Sequence, residues 1–110
     1  MKSMNRVELI GYLGKDPAIY EYSDGSAMAI MRLATNRFYK SSQGATVKET
    51  QWHTAKLWGK QQIDKIRNYL ITGSHILVSG ELEYRTFQGR DGQTRSMTMI
   101  RVNYLVDLDR

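Results

Sequence analysis

At 110 residues the chain has the length for one compact domain around one core, spanning 1–110. It has no cysteine, which excludes disulfides, thiolate metal sites and thiol nucleophiles, and its two histidines, His53 and His75, cannot hold a metal by themselves. Sixteen Lys and Arg against eleven Asp and Glu leave a net charge of +5, a balance that suits a polyanionic partner, nucleic acid first.

Asn5 to Leu13 alternates, with Val7, Leu9 and Gly11 on one side and Arg6 and Glu8 on the other, and reads as a first strand. Gly14-Lys15-Asp16-Pro17 ends it, because proline lacks a ladder donor and restricts the residue before it. Ala18 to Tyr22 is extended and aromatic, and Ser23-Asp24-Gly25-Ser26 is a tight turn. Ala27 to Asn36 is rich in Ala and Met, which favour helix, yet the turn before it makes a strand the better reading. Phe38 and Tyr39 follow between Arg37 and Lys40, and Ser41 to Thr46 forms a polar hairpin tip.

Val47 to Trp58 is the next strand, stopped by Gly59. Gln61 to Leu70 then changes period, with Ile63, Ile66, Tyr69 and Leu70 on one helical face. His75 to Phe87 returns to alternation. Ile76, Val78, Gly80, Leu82 and Tyr84 share one side; Ser79, Glu81, Glu83, Arg85 and Phe87 share the other. A glycine-rich tip, Gln88 to Gln93, leads into Thr94 to Leu108, where Ile100, Val102, Tyr104 and Val106 alternate. Five strands with one short helix between the third and fourth is the order of the OB-fold, an all-β, five-stranded Greek-key barrel.

The segment Gln51 to Lys60 carries the functional signal. In an extended strand Trp52, Thr54, Lys56 and Trp58 share one face, while His53, Ala55 and Leu57 share the other. Two indoles beside an ammonium, with Lys60 just beyond, make a poor core and a good stacking platform for bases. Phe87 with Arg85, and Phe38 and Tyr39 with Arg37, repeat the pairing of ring and cation. Such interleaving suits single strands, whose unpaired bases expose a π-face; a duplex reader needs a groove-entering helix. There is no Gly-x-Ser-x-Gly, no Walker loop and no carboxylate pair spaced for acid–base work, so the chain reads as a binder, with no catalytic residue, cofactor or metal. His53 falls on the apolar side of its strand, as a packed histidine does. With no membrane-length apolar run and no secretory h-region, a cytoplasmic setting without a membrane partner is expected.

These residues resemble a known family. Asn5-Arg6-Val7-x-Leu9-Ile10-Gly11-x-Leu13-Gly14-Lys15-Asp16-Pro17 is similar to the opening of bacterial single-stranded DNA-binding proteins. So are Leu33-Ala34-Thr35-Asn36-Arg37, Trp52-His53 with Leu57-x-Gly59-Lys60, Tyr69-Leu70-x-x-Gly73-Ser74, Gly80-x-Leu82 and Asp91-Gly92, in the same order over nearly the whole chain. The resemblance implies an OB-fold, a homotetramer, and sequence-independent wrapping of single-stranded DNA in replication, repair and recombination, near the bacterial nucleoid. It implies base stacking on Tyr39 (or Phe38), Trp52, Trp58 and Phe87, phosphate contacts from Arg6, Lys60 and Arg85, and a subunit contact at His53. Thr54 and Thr72 depart from it, standing where the family usually carries basic residues. The sequence stops at Leu108-Asp109-Arg110 without the family's acidic tip, so recruitment of other proteins through that tip is not expected of this stretch. Two other OB-fold classes fit the same element order: a primosome-type replication restart protein, and an RNA-binding module.

Overall fold

The structure, a computed structural model, describes residues 2–110. Its elements are β1 (Val7–Leu13), β2 (Ala18–Glu21), β3 (Ala27–Lys40), β4 (Thr46–Trp58), α1 (Lys60–Arg67), β5 (His75–Gln88) and β6 (Thr94–Asp107). The sheet runs β1-β5-β6-β4-β3-β2, and β1 also pairs with β3. Five long strands therefore close into a barrel, and α1 lies between the third and fourth of them, as the sequence order implies. The extra strand is the aromatic stretch after Pro17. β1 leaves β3 at Leu13↔Leu33, and β2 takes up the same edge from Ala18↔Ile30 to Glu21↔Ala27.

The helix-favouring composition of Ala27–Asn36 loses to its environment. Ala27, Ala29, Met31 and Leu33 are at most 1% exposed on the barrel's inner side, so alternation wins over intrinsic propensity. This strand runs on to Lys40, paired residue for residue with β4 from Met28↔Trp58 to Lys40↔Thr46. Leu13, Ala55, Leu57, Ile76, Val78, Ile100 and Val102 complete the interior. Ile63 and Ile66 of α1, followed by Leu70, are buried in the same core, and the helix contacts β3 and β4. The helix is shorter than its period suggests. Tyr69 falls beyond its end and outside the core, with the Arg110 guanidinium 3.7 Å above its ring.

One irregularity redirects the last hairpin. The β5–β6 register shifts between Ser79 and Gly80, so one residue of β6 is left over. Before the shift Ser79 faces Tyr104; after it Gly80 faces Val102. Simple alternation in β6 therefore fails: Ile100 and Val102 are interior, but Tyr104 and Val106 are exposed and Leu105 packs on the core instead.

Candidate nucleic-acid interface

β4 puts Trp52 and Trp58 on the outer face of the barrel because Ala55 and Leu57, at 0% and 1% exposure, take the inner one. Trp52 is 51% and Trp58 41% exposed. Register with β3 sets Ala34 beside Trp52, Arg32 beside Thr54, Ile30 beside Lys56 and Met28 beside Trp58. On the other side β4 meets β6 at Lys56↔Arg101, and β6 meets β5 at Arg101↔Glu81 and Met97↔Arg85. Arg85 and Phe87 therefore share the outer face with the indoles, and both are exposed.

Each indole has a neighbour that fixes its ring. The Arg32 guanidinium lies 5.8 Å from the Trp52 ring centre and donates to Thr54 Oγ1 at 2.7 Å. Thr54 thus anchors a cation that arrives from the facing strand. Trp52 also lies over Gly14, where even a methyl group would come within 2.4 Å of the ring edge. Gly14, Lys15, Arg32 and Trp52 line an open concavity of about 530 Å³, with two cations and an indole in its walls. Trp58 stacks on Tyr22, centres 6.0 Å apart and planes 21° from parallel.

Phe38 and Tyr39 separate. The unbroken β3–β4 ladder puts Phe38 on the Trp52 face and Tyr39 on the opposite one, where Arg37 lies 5.5 Å from its ring centre. Both rings are exposed. Arg37 also pairs with Glu49 at 3.1 Å, Lys60 with Asp64 at 3.4 Å, and Arg6 with Glu8. All three are exposed surface pairs, which a polyanion can displace at little cost.

Lys56 corrects the sequence reading. Parity puts it on the indole face, but it is 4% exposed, and its Nζ donates to Glu83 Oε1 at 2.9 Å. Its ammonium is 6.0 Å from the Trp58 ring centre. Alternation says which way a side chain points and not what covers it; here the β5–β6 hairpin carries Glu83 onto it. The Lys56 hydrogen bond, ahead of the smaller influence of Arg85, holds the Glu83 carboxyl below its ordinary value. Lys56 is therefore no surface cation open to a phosphate.

His53 is half-buried, its Nε2 2.9 Å from Thr35 Oγ1. Burial, and secondarily the charge of Arg32, hold its imidazole below the usual pKa, so it is neutral at pH 7. Sequence reasoning missed Arg32, Lys15 and Tyr22. The signal for Arg32 was present: it alternates with Met31 and Leu33 and faces Thr54 once β3 and β4 are paired.

The single-strand binding protein family profile matches residues 4–108. A curated relative from Xylella fastidiosa, described as a single-stranded DNA-binding protein, is 37% identical over 100 residues, 90% of this chain. The chain spans 60% of that relative's length. Among solved structures, a Plasmodium falciparum SSB complex with ssDNA superposes with a TM-score of 0.87 at 31% identity, covering 99% of this chain and 98% of that one. A deletion mutant of the single-stranded DNA-binding protein from Thermus aquaticus gives 0.78 at 28% identity, covering 96% of this chain and 50% of that one.

Proposed function

The chain belongs to the single-strand binding protein family, and we propose that it binds single-stranded DNA without sequence preference, coating and protecting it during replication, repair and recombination. The observation that carries this reading is the half-exposed pair of indoles on one outer face, Trp52 braced by the Arg32 guanidinium and Trp58 by the Tyr22 ring. Bases stack on Trp52, Trp58, Phe38 and Phe87 along that face, with Tyr39 reached where the strand turns around the β3–β4 hairpin. Arg32, Lys15 and Arg85 neutralise phosphates, joined by Lys60, Arg6 and Arg37 once their surface pairs open. Stacking tolerates any sequence, because every base has a π-face. The family is one of DNA-binding proteins that catalyse no reaction, and the role needs no cofactor.

The protein is a homo-oligomer in this reading, a tetramer, and works in the cytoplasm next to the nucleoid. Support for self-association comes from the barrel's other outer sector. Register aligns Ile10, Leu77 and Val106 in one row across β1, β5 and β6. Ile10 and Val106 are 55% and 42% exposed, and Tyr104 and Tyr12 flank the row. A row of this kind is an interface pattern, apolar at its centre and aromatic at its edge. His53, neutral and half-buried, is proposed at a subunit contact.

The test is titration with oligo-dT at several salt concentrations, followed by indole fluorescence. Stacking on Trp52 and Trp58 quenches the emission. Counterion release makes log K fall linearly with log salt, by about 0.7 per phosphate neutralised. Affinity that stayed level from low to high salt would rule the mechanism out.

A further inference from the structure

The indole face carries a carboxylate in an unwelcome place. Glu83 lies on the same outer face as Arg85 and Phe87, along the stretch where a polyanion would run. A single oxygen, Glu83 Oε1, takes both Lys56 Nζ at 2.9 Å and Arg85 Nε at 3.3 Å. The two cations differ in access: the Lys56 side chain is 5% exposed and that of Arg85 60%. A buried ammonium that can reach no phosphate is bound to a carboxylate that would repel one.

We propose that Lys56 is a positioning residue which acts from beneath the surface, neutralising Glu83 so that the exposed Arg85 guanidinium stays available to the DNA backbone. Without the ammonium, Glu83 turns its full charge on Arg85, its one remaining cationic partner. The face then gains a repulsive charge and loses a phosphate ligand together. The contact also ties β4 to β5 with the Lys56 ammonium 6.0 Å from the Trp58 ring centre, so the charge arrangement and the stacking platform share one support. The inference rests on the single-strand binding reading above.

A double-mutant cycle in oligo-dT affinity and its salt slope tests it, using Lys56→Met, Glu83→Gln and the pair together. Lys56→Met is expected to bind about fivefold more weakly, the upper range for one exposed ion pair. Its salt slope should be shallower by about 0.7, the share of one phosphate contact. Glu83→Gln and Lys56→Met/Glu83→Gln should bind alike, within about twofold, and with the same slope as each other, because no carboxylate is left to capture Arg85. A loss from Lys56→Met of equal size with and without Glu83 makes Lys56 a direct phosphate ligand and overturns the proposal. Wild-type affinity and slope in folded Lys56→Met overturns it too. If Lys56→Met does not fold, Lys56→Gln keeps a donor for Glu83 without the charge and serves in the same cycle. Wild-type protein that fails to bind oligo-dT sinks the single-strand reading itself; wild-type binding with an additive cycle sinks only the role of Lys56.

Discussion

Trp52 shows how much of a site rests on the residue beneath it. Its ring lies on Gly14, and a Cβ there would stand 2.4 Å from Cζ3 and 2.6 Å from Cη2. Gly14 does not have positive φ, so alanine fits the backbone and the strain falls on the indole. Gly14→Ala is expected to lift the ring off its seat, shifting Trp52 emission in the free protein while leaving stability within about 1 kcal/mol. Affinity for oligo-dT should drop by less than in Trp52→Ala, which loses the whole stacking contribution of roughly 1–3 kcal/mol. Gly14→Ala binding as well as wild type, with unmoved emission, would show that the seat does not set the ring. At this scale the sequence was legible where parity alone decides. Trp52 and Trp58 fall opposite Ala55 and Leu57, and the unbroken pairing of this strand with β3 lets the rule hold. It was illegible where cover decides: Lys56 points with the indoles and is buried by Glu83 from a strand 27 positions away.

Elements were read well wherever alternation ran undisturbed. β3 is the exception, legible from the turn before it rather than from its own apolar run, and its inner face of Ala27, Ala29, Met31 and Leu33 overrides a helix-favouring composition. The reading failed in the second half of β6, because the residue left over there, Asn103, carries no mark of the bulge in the sequence of β6 itself. What marks it is Gly80. A Cβ at Gly80 would meet the Arg101 carbonyl oxygen at 2.0 Å and the Val102 Cα at 3.0 Å. Both are backbone atoms, with no flexible end to give way, so only hydrogen at this position lets β5 and β6 close after the shift. Gly80→Ala is expected to force the hairpin apart and cost about 3 kcal/mol, the severe end of overpacking. That corresponds to a drop in Tm of roughly 10 °C or more for a chain of this size. Differential scanning calorimetry measures it, and an unchanged Tm would mean the hairpin yields more easily than its geometry says.

At the scale of the molecule, the outer side of β5 runs from one proposed surface to the other, and the register shift falls between them. Beyond it, β5 carries Glu81, Glu83, Arg85 and Phe87 to the face of the indoles. Before it, His75, Leu77 and Ser79 lie beside Tyr12, Ile10 and Glu8 of β1, and the apolar row forms there. The two proposed surfaces take opposite ends of β5, the first on the β5–β6 hairpin and the second beside β1, so an oligomer that buries the second can leave the first open to DNA. Composition hinted at only the first surface. The +5 charge points to a polyanion, whereas nothing in a residue count reveals Ile10, Leu77 and Val106 as one row. That row exists only once three strands are in register. Ile10→Arg sets a cation at its centre, on a side chain already 55% exposed in the single chain, so the barrel loses little by the change. Burying that charge unpaired between subunits is costly. Light scattering is expected to give four chains for the wild type and a smaller assembly for Ile10→Arg, with Tm lower in proportion to the lost association. A short oligo-dT that spans one barrel should still quench the indoles of the dissociated variant, because the stacking face belongs to a single chain. Wild-type mass in folded Ile10→Arg would move the subunit contact off this row, and lost quenching with the fold intact would mean the stacking face needs a second subunit.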